Sequence, residues 1–189
     1  MKKYELLVDD TITFFGVQLF RIKALISFSG IEKGELGGYV ASEKNLSQYG
    51  NAWVFGNARV YGDAEVSGNA EVSGNARVSG DARVYGDAEV SGNAEVFGNA
   101  EVSGNAEVSG DARVSGNADY IVFKNTWSSG RYFTYTKSNR KWRVGCFYGS
   151  GAELVKKAYK DSKKSGDFYK AYVEFVEKLE EIENIHKEQ

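Results

Sequence analysis

Bases and aromatics alternate between positions 131 and 151. Arg131, Tyr132, Tyr135, Lys137, Arg140, Lys141, Trp142 and Arg143 are followed by Tyr148-Gly149-Ser150-Gly151. Guanidinium and ammonium groups form charge-assisted hydrogen bonds with phosphate oxygens, and tyrosine or arginine planes stack on a base. A glycine-containing loop that runs into a helix offers backbone N–H groups and a partial positive charge to an anion. Arg131, Tyr135, Lys141, Arg143, Tyr148, Gly149, Ser150 and Gly151 are therefore a candidate site for a small phosphorylated, nucleotide-like ligand. The loop lacks the Lys-Ser or Lys-Thr of a P-loop, so nucleotide hydrolysis is not expected. The competing reading is an ordinary turn and N-cap beside a solvated basic surface, with Trp142 in a core.

Those residues need a scaffold, and the scaffold dominates the sequence. From Gly50 to Ser115 run eleven unbroken hexads of Gly, Asn or Asp, Ala, any residue, Val, then Ser, Tyr or Phe. A twelfth begins at Gly116 and breaks at Tyr120. Strict self-similarity at a fixed period marks a repeat architecture. Ala and Val stand two positions apart and share one face of a strand, while the residue between them faces the other way. That middle residue is Glu, Arg, Asp or Trp, which predicts a solvent face. Gly followed by Asn or Asp supplies a corner, since these residues best tolerate positive φ. Short strands and corners in alternation wind the chain into a coil.

The flanks read as caps on what would otherwise be open sheet edges. Residues 1–37 predict a small strand meander, with turns at Asp9-Asp10 and Gly16. Residues 38–118 form the solenoid, with 38–49 as a degenerate first coil. Residues 119–189 form an α+β cap of three strands (Tyr120 to Phe123, Arg131 to Thr136, Lys141 to Phe147) and two helices. The helices are placed at about 152–164 and 167–187 and separated at Ser165-Gly166. Phe168, Tyr172, Phe175, Val176, Leu179 and Ile182 make one apolar stripe on the second. Net charge is −6 over 50–118 and +4 over 119–189. No run is long and apolar enough for a membrane span or a signal peptide, which predicts a cytoplasmic location. The one cysteine, Cys146, cannot form an internal disulfide, and its apolar stretch predicts burial.

The Val-x-x-x-Ala spacing, as in Val66 to Ala70 and Val72 to Ala76, is similar to the signature of hexapeptide-repeat left-handed β-helices. That resemblance implies three hexads per triangular coil, hence nearly four coils, a left-handed β-solenoid and a homotrimer. It also aligns the outward residues in ladders. Glu71, Glu89 and Glu107 stack with Trp53 at their end; Arg59, Arg77, Glu95 and Arg113 share a second face; Glu65, Arg83, Glu101 and Asp119 share a third. Stacked carboxylates could hold a divalent cation or imitate a phosphate strand, or simply keep a face soluble. Tyr61, Tyr85, Phe55 and Phe97 are read as spread over the faces, forming no stacking platform. Many members of that family are acyltransferases with a histidine near a coil. The one histidine here, His186, lies beyond every coil, so no catalytic residue is expected.

The whole arrangement also resembles a group of phage and prophage proteins of unknown role. The residues that carry this are Gly37-Gly38-Tyr39, Asn45-Leu46-Ser47, Asn51-Ala52-Trp53-Val54 and Trp142 through Gly149. It implies a mobile-element accessory protein acting in a bacterial host. The expectation is a non-enzymatic binding protein without metal or cofactor, possessing a basic cap that sequesters a phosphorylated host-defence signal. The alternative is a protein-interaction module whose acidic solenoid occupies a nucleic-acid-binding surface of a host protein.

Overall fold

The computed structural model describes residues 2–187. Strands β1 (Tyr4–Phe14), β2 (Val17–Ala24) and β3 (Leu36–Val40) open the chain. One two-residue strand per hexad then follows: β4 (Trp53–Val54), β5 (Arg59–Val60), β6 (Glu65–Val66), β7 (Glu71–Val72), β8 (Arg77–Val78), β9 (Arg83–Val84), β10 (Glu89–Val90), β11 (Glu95–Val96), β12 (Glu101–Val102), β13 (Glu107–Val108) and β14 (Arg113–Val114). Parallel pairing joins residues 18 apart, as in Glu71 with Glu89 and Val72 with Val90, so three hexads close one coil. The result is a β-solenoid of about four turns with three walls: β3-β5-β8-β11-β14, β4-β7-β10-β13 and β6-β9-β12.

Every repeat Ala and Val from Ala52 to Val114 is at most 1% exposed. At each corner only the glycine is left-handed, with φ between +57° and +74° from Gly50 to Gly110. The Asn or Asp beside it does not share the strain. Glycine is required twice over, because a Cβ on Gly80 would stand 2.9 Å from the backbone N of Gly98 one coil on. The Asn side chains instead form a ladder between coils, Asn51 to Asn69 at 3.0 Å and Asn69 to Asp87 at 2.9 Å. The first coil carries two extra residues. Val40 pairs with Val60 and Leu46 bridges Val66, both 20 apart, whereas Val54 pairs with Val72.

Both open ends are closed by side chains that stand in for backbone. Inside the solenoid the N–H of each middle residue donates to an Ala carbonyl of the next coil, as in Arg59 to Ala76 at 2.9 Å. At the first coil Lys3 Nζ donates to the carbonyl of Ala52 at 2.8 Å, and Asn45 Nδ2 donates to that of Ala64 at 2.9 Å. At the last coil the N–H groups of Glu101, Glu107 and Arg113 donate to Asn117 Oδ1, Thr134 Oγ1 and Ser138 Oγ at 2.8, 2.9 and 2.7 Å. These edge groups, which would otherwise help to template polymerisation, are satisfied internally.

Several expectations are corrected. Asp9-Asp10 is no turn; β1 runs through it, with an irregular register between Leu7 and Thr11. Trp53 does not face solvent, being 1% exposed beneath Tyr4 and Phe28, whose rings lie 6.2 and 5.5 Å away. Asp119 leaves its ladder, because a short 3-10 turn folds its carboxylate back onto the N–H groups of Ser115 and Gly116.

The C-terminal cap is an antiparallel sheet of β15 (Tyr120–Lys124), β16 (Tyr132–Thr136), β17 (Lys141–Val144) and β18 (Phe147–Gly149), with α1 (Gly151–Asp161) and α2 (Lys163–Lys187) on one side. The expected strand from Lys141 to Phe147 breaks at Gly145, whose φ is +54°, into a two-residue hairpin turn. Cys146 sits in that turn and is exposed, not buried. The helices part at Ser162 rather than Ser165-Gly166. Ser162 ends α1 by donating to Ala158, and its hydroxyl accepts the N–H of Ser165 at 3.0 Å. Gly166 lies inside α2, where any Cβ would strike the Tyr159 ring. The face of α2 that meets the core carries Tyr169, Val173 and Val176. Of the expected stripe, Val176 belongs to this face and Tyr172 packs against it, whereas Phe175, Leu179 and Ile182 are exposed. No helix among the described residues is long and apolar enough to cross a membrane.

Candidate functional site

The sheet gathers only part of the expected anion site, with Lys141, Arg143 and Tyr148 on one face and Arg143 opposite Tyr148 in register. Alternation along β17 sends Trp142 into the cap core and Lys141 and Arg143 to the opposite face, towards the solenoid. There Arg143 Nε donates to Glu107 Oε2 at 2.8 Å, so this base of the cap is paired with the carboxylate ladder. Tyr148 crosses over the corner at Gly110, with its hydroxyl accepting from Asn139 Nδ2 at 3.1 Å. Tyr135 is on the helix side, where its hydroxyl donates to Glu180 Oε1 at 2.5 Å. Arg131 lies elsewhere, beside Val144, Phe147 and Lys157.

The start of α1 has an anion of its own. Ser150 accepts the N–H of Glu153 at 3.3 Å, and the Glu153 carboxylate accepts both the N–H and the hydroxyl of Ser150 at 2.8 and 2.7 Å. This reciprocal capping box holds the Glu153 carboxyl below its usual range, mainly through the bond from the Ser150 N–H. Gly149-Ser150-Gly151 thus serves the helix, with Gly151 tight against Val173.

The Glu71, Glu89 and Glu107 ladder forms in register. Burial first, then the charges of Glu107 and Glu71, pushes the Glu89 carboxyl up. Among the described residues no group of three His, Cys, Asp or Glu is placed to hold a metal ion. His186 is exposed near the end of α2.

The wall of β5, β8, β11 and β14 carries a different arrangement. Its outward rungs are Arg59, Arg77, Glu95 and Arg113 in continuous register. Arg59 and Arg77 are directly opposed like charges, a pairing that costs a sheet stability unless something offsets it. Arg77 Nη1 and Arg113 Nη2 converge on the two oxygens of Glu95, at 3.1 and 3.4 Å. No carboxylate among the described residues pairs with Arg59. The Nε atoms of Arg59 and Arg77 are buried and lack a hydrogen-bond partner.

The β1–β2 hairpin folds its tip over this wall. Phe14 lies 4.5 Å from the Arg59 guanidinium and 5.4 Å from that of Arg77, with its ring edge-on to Tyr61 at 5.8 Å. Arg113 sits 5.4 Å from the Phe97 ring. Phe15, Tyr61, Arg77, Ser79, Glu95, Phe97 and Arg113 line an open cleft of ≈ 390 Å³. Pockets for small ligands start at about 300 Å³.

Phe15 is the unexpected member. With Gly16 it forms a two-residue turn with positive φ at both positions, +47° and +79°. Such type I′ turns favour Asn-Gly, and a bulky side chain there is strained. Phe15 is nonetheless 80% exposed at the mouth of the cleft, so burial does not offset the strain. This groove is not legible in a linear repeat pattern, which spreads Tyr61 and Phe97 over the faces. They stand two coils apart on one corner, with Ser79 between them. The Phe-Gly turn was the available signal.

A family model described as the YdcK beta solenoid repeat matches residues 70–86 and 76–92. Those windows fall in the middle coils, and the match agrees with the repeat fold described above. No curated protein matches the chain.

Proposed function

We propose that the protein is a non-enzymatic binding protein that captures a small phosphorylated, nucleotide-like ligand, and that the site is the arginine–aromatic groove of the solenoid wall rather than the basic cap. The observation that carries this reading is the convergence of Arg77 and Arg113 below exposed Phe15, beside Tyr61 and Phe97. Paired guanidinium groups suit phosphate oxygens, and aromatic faces suit a base. Three arginines against one glutamate leave this wall positive on an otherwise acidic solenoid. The groove's one lining carboxylate, Glu95, has both oxygens engaged by guanidinium groups, which favours holding over proton transfer.

Capture without chemistry would also suit a phage-type accessory protein directed against a phosphorylated host-defence signal. Thermal shift and calorimetry with a panel of linear and cyclic nucleotides test the reading. A hit that Arg77→Gln with Arg113→Gln abolishes, while Lys141→Ala with Arg143→Ala leaves it intact, supports the groove. The reverse pattern returns the site to the cap. No hit, with recovery of a basic host protein by pull-down, favours the interaction module.

A further inference from the structure

We infer that Glu95 is the specificity-determining residue of this groove: an internal carboxylate that occupies the Arg77–Arg113 clamp and yields only to a dianionic phosphate monoester. The inference rests on the groove reading proposed above.

Arg77 and Arg113 stand two coils apart, about 10 Å at the backbone, and their guanidinium groups bend towards the rung between them. Each takes one oxygen of Glu95. The clamp is therefore built for an anion with two separated oxygens, and it already holds one. The Glu95 side chain is 24% exposed, so it can rotate outward into water.

Charge decides which ligand can take its place. A phosphodiester or a carboxylate carries one negative charge, the same as Glu95. Exchanging it for Glu95 gains no Coulomb energy, and adding it beside Glu95 is repulsive. A phosphate monoester carries about −1.5 to −2 at neutral pH and three acceptor oxygens, so it outbids one carboxylate for two guanidinium groups. Arg59, one rung beyond Arg77 and packed on Phe14 outside the cleft lining, adds only a longer-range attraction. The aromatic groups act on any ring and do not discriminate on charge.

Calorimetry with adenosine 5′-monophosphate and cyclic 3′,5′-adenosine monophosphate tests this on the full chain. Wild type is expected to prefer the monoester. Glu95→Gln keeps the size, removes the competing charge and leaves one acceptor oxygen in place of two. It is expected to bind the cyclic diester about tenfold more tightly, the scale of one charge-assisted hydrogen bond, and to narrow the preference. An unchanged ratio in Glu95→Gln, or weaker binding of both probes, overturns the role of Glu95 while leaving the groove in place. Arg77→Gln binding both probes as well as wild type overturns the groove itself. Failure of both probes to bind wild type and Glu95→Gln alike overturns both. Melting of each variant verifies that the fold is retained.

Discussion

Thr134 Oγ1 accepts the backbone N–H of Glu107 at 2.9 Å, in the place that an alanine carbonyl of a further coil would fill. One hydroxyl from the cap sheet thereby continues the hydrogen-bond ladder for one more step and then stops it. Lys3 and Asn45 do the converse at the other end, supplying donors where the ladder lacks them.

Thr134→Val tests this closure, because it conserves shape and removes the acceptor. Thr134 is 2% exposed, so water cannot readily replace it. The loss is expected to be about 1–3 kcal/mol, the cost of an unsatisfied buried donor. Ser138→Ala, at an exposed position, should cost under about 0.5 kcal/mol because water can serve Arg113. Urea unfolding compares the two. Equal losses would mean that water reaches both amides.

Lys3 gives the molecule an unusual alkaline behaviour. Burial brings its ammonium down to about 8 from an ordinary lysine value of 10.5. Above pH 8 the folded state releases this proton while the unfolded state keeps it. The unfolded state then binds more protons, so stability rises with pH. The neutral amine can still donate to Ala52. Tyr4 and Tyr135 act in the opposite sense, since burial pushes their hydroxyls above the usual tyrosine range. Beyond about pH 10 the unfolded chain ionises its tyrosines first and stability falls. Unfolding free energy should climb by on the order of 2 kcal/mol from pH 8 to a maximum near pH 10. Lys3→Met should be less stable throughout and lack the climb. A parallel profile for that variant would assign the effect to another group.

The repeat made the fold legible because one physical rule is written eleven times. Ala, Val and Gly each have one environment, so period alone locates core and corner. The ends obey different physics. Trp53 sits at a solvent-facing repeat position, and the Tyr4 and Phe28 rings, far away in sequence, pack against it. The cap bases looked like a site because alternation in sequence hides which face each occupies. Arg143 turned out to have a partner in Glu107, and Ser150 in Glu153. The groove was illegible for the same reason, since it needs a hairpin tip to fold back across a wall two coils long. A local cue did exist in Phe15-Gly16.

The two demands on corner glycines can be separated. Gly80→Ala meets both left-handed strain and the backbone of Gly98, whereas Gly104 has the same sign of φ, +64°, with nothing within 4 Å of an added Cβ. Gly104→Ala should cost about 1–2 kcal/mol from strain alone. Gly80→Ala adds an overpacking cost of roughly 1–3 kcal/mol. Equal melting temperatures for the two would show that the coils part freely, against the stacked geometry.

Phe15→Asn opposes stability and binding in a single residue. Asn is at ease in the left-handed region and is favoured in a type I′ turn, so the hairpin should tighten by about 0.5–1 kcal/mol. Phe15 has little burial to lose, being 80% exposed. Its one close ring partner is Phe14, at 4.5 Å, and Phe14 still has Tyr61 and two arginines around it. The melting temperature should therefore hold or rise. Binding of a ring-bearing ligand should weaken, because an aromatic face at the cleft mouth is worth about 1–3 kcal/mol per stacked base. Inorganic phosphate, which has no ring, should bind as it does to wild type. A variant that melts higher and binds the nucleotide unchanged would show that the strained phenylalanine serves something other than this groove. One that melts markedly lower would show that Phe15 supports the hairpin itself.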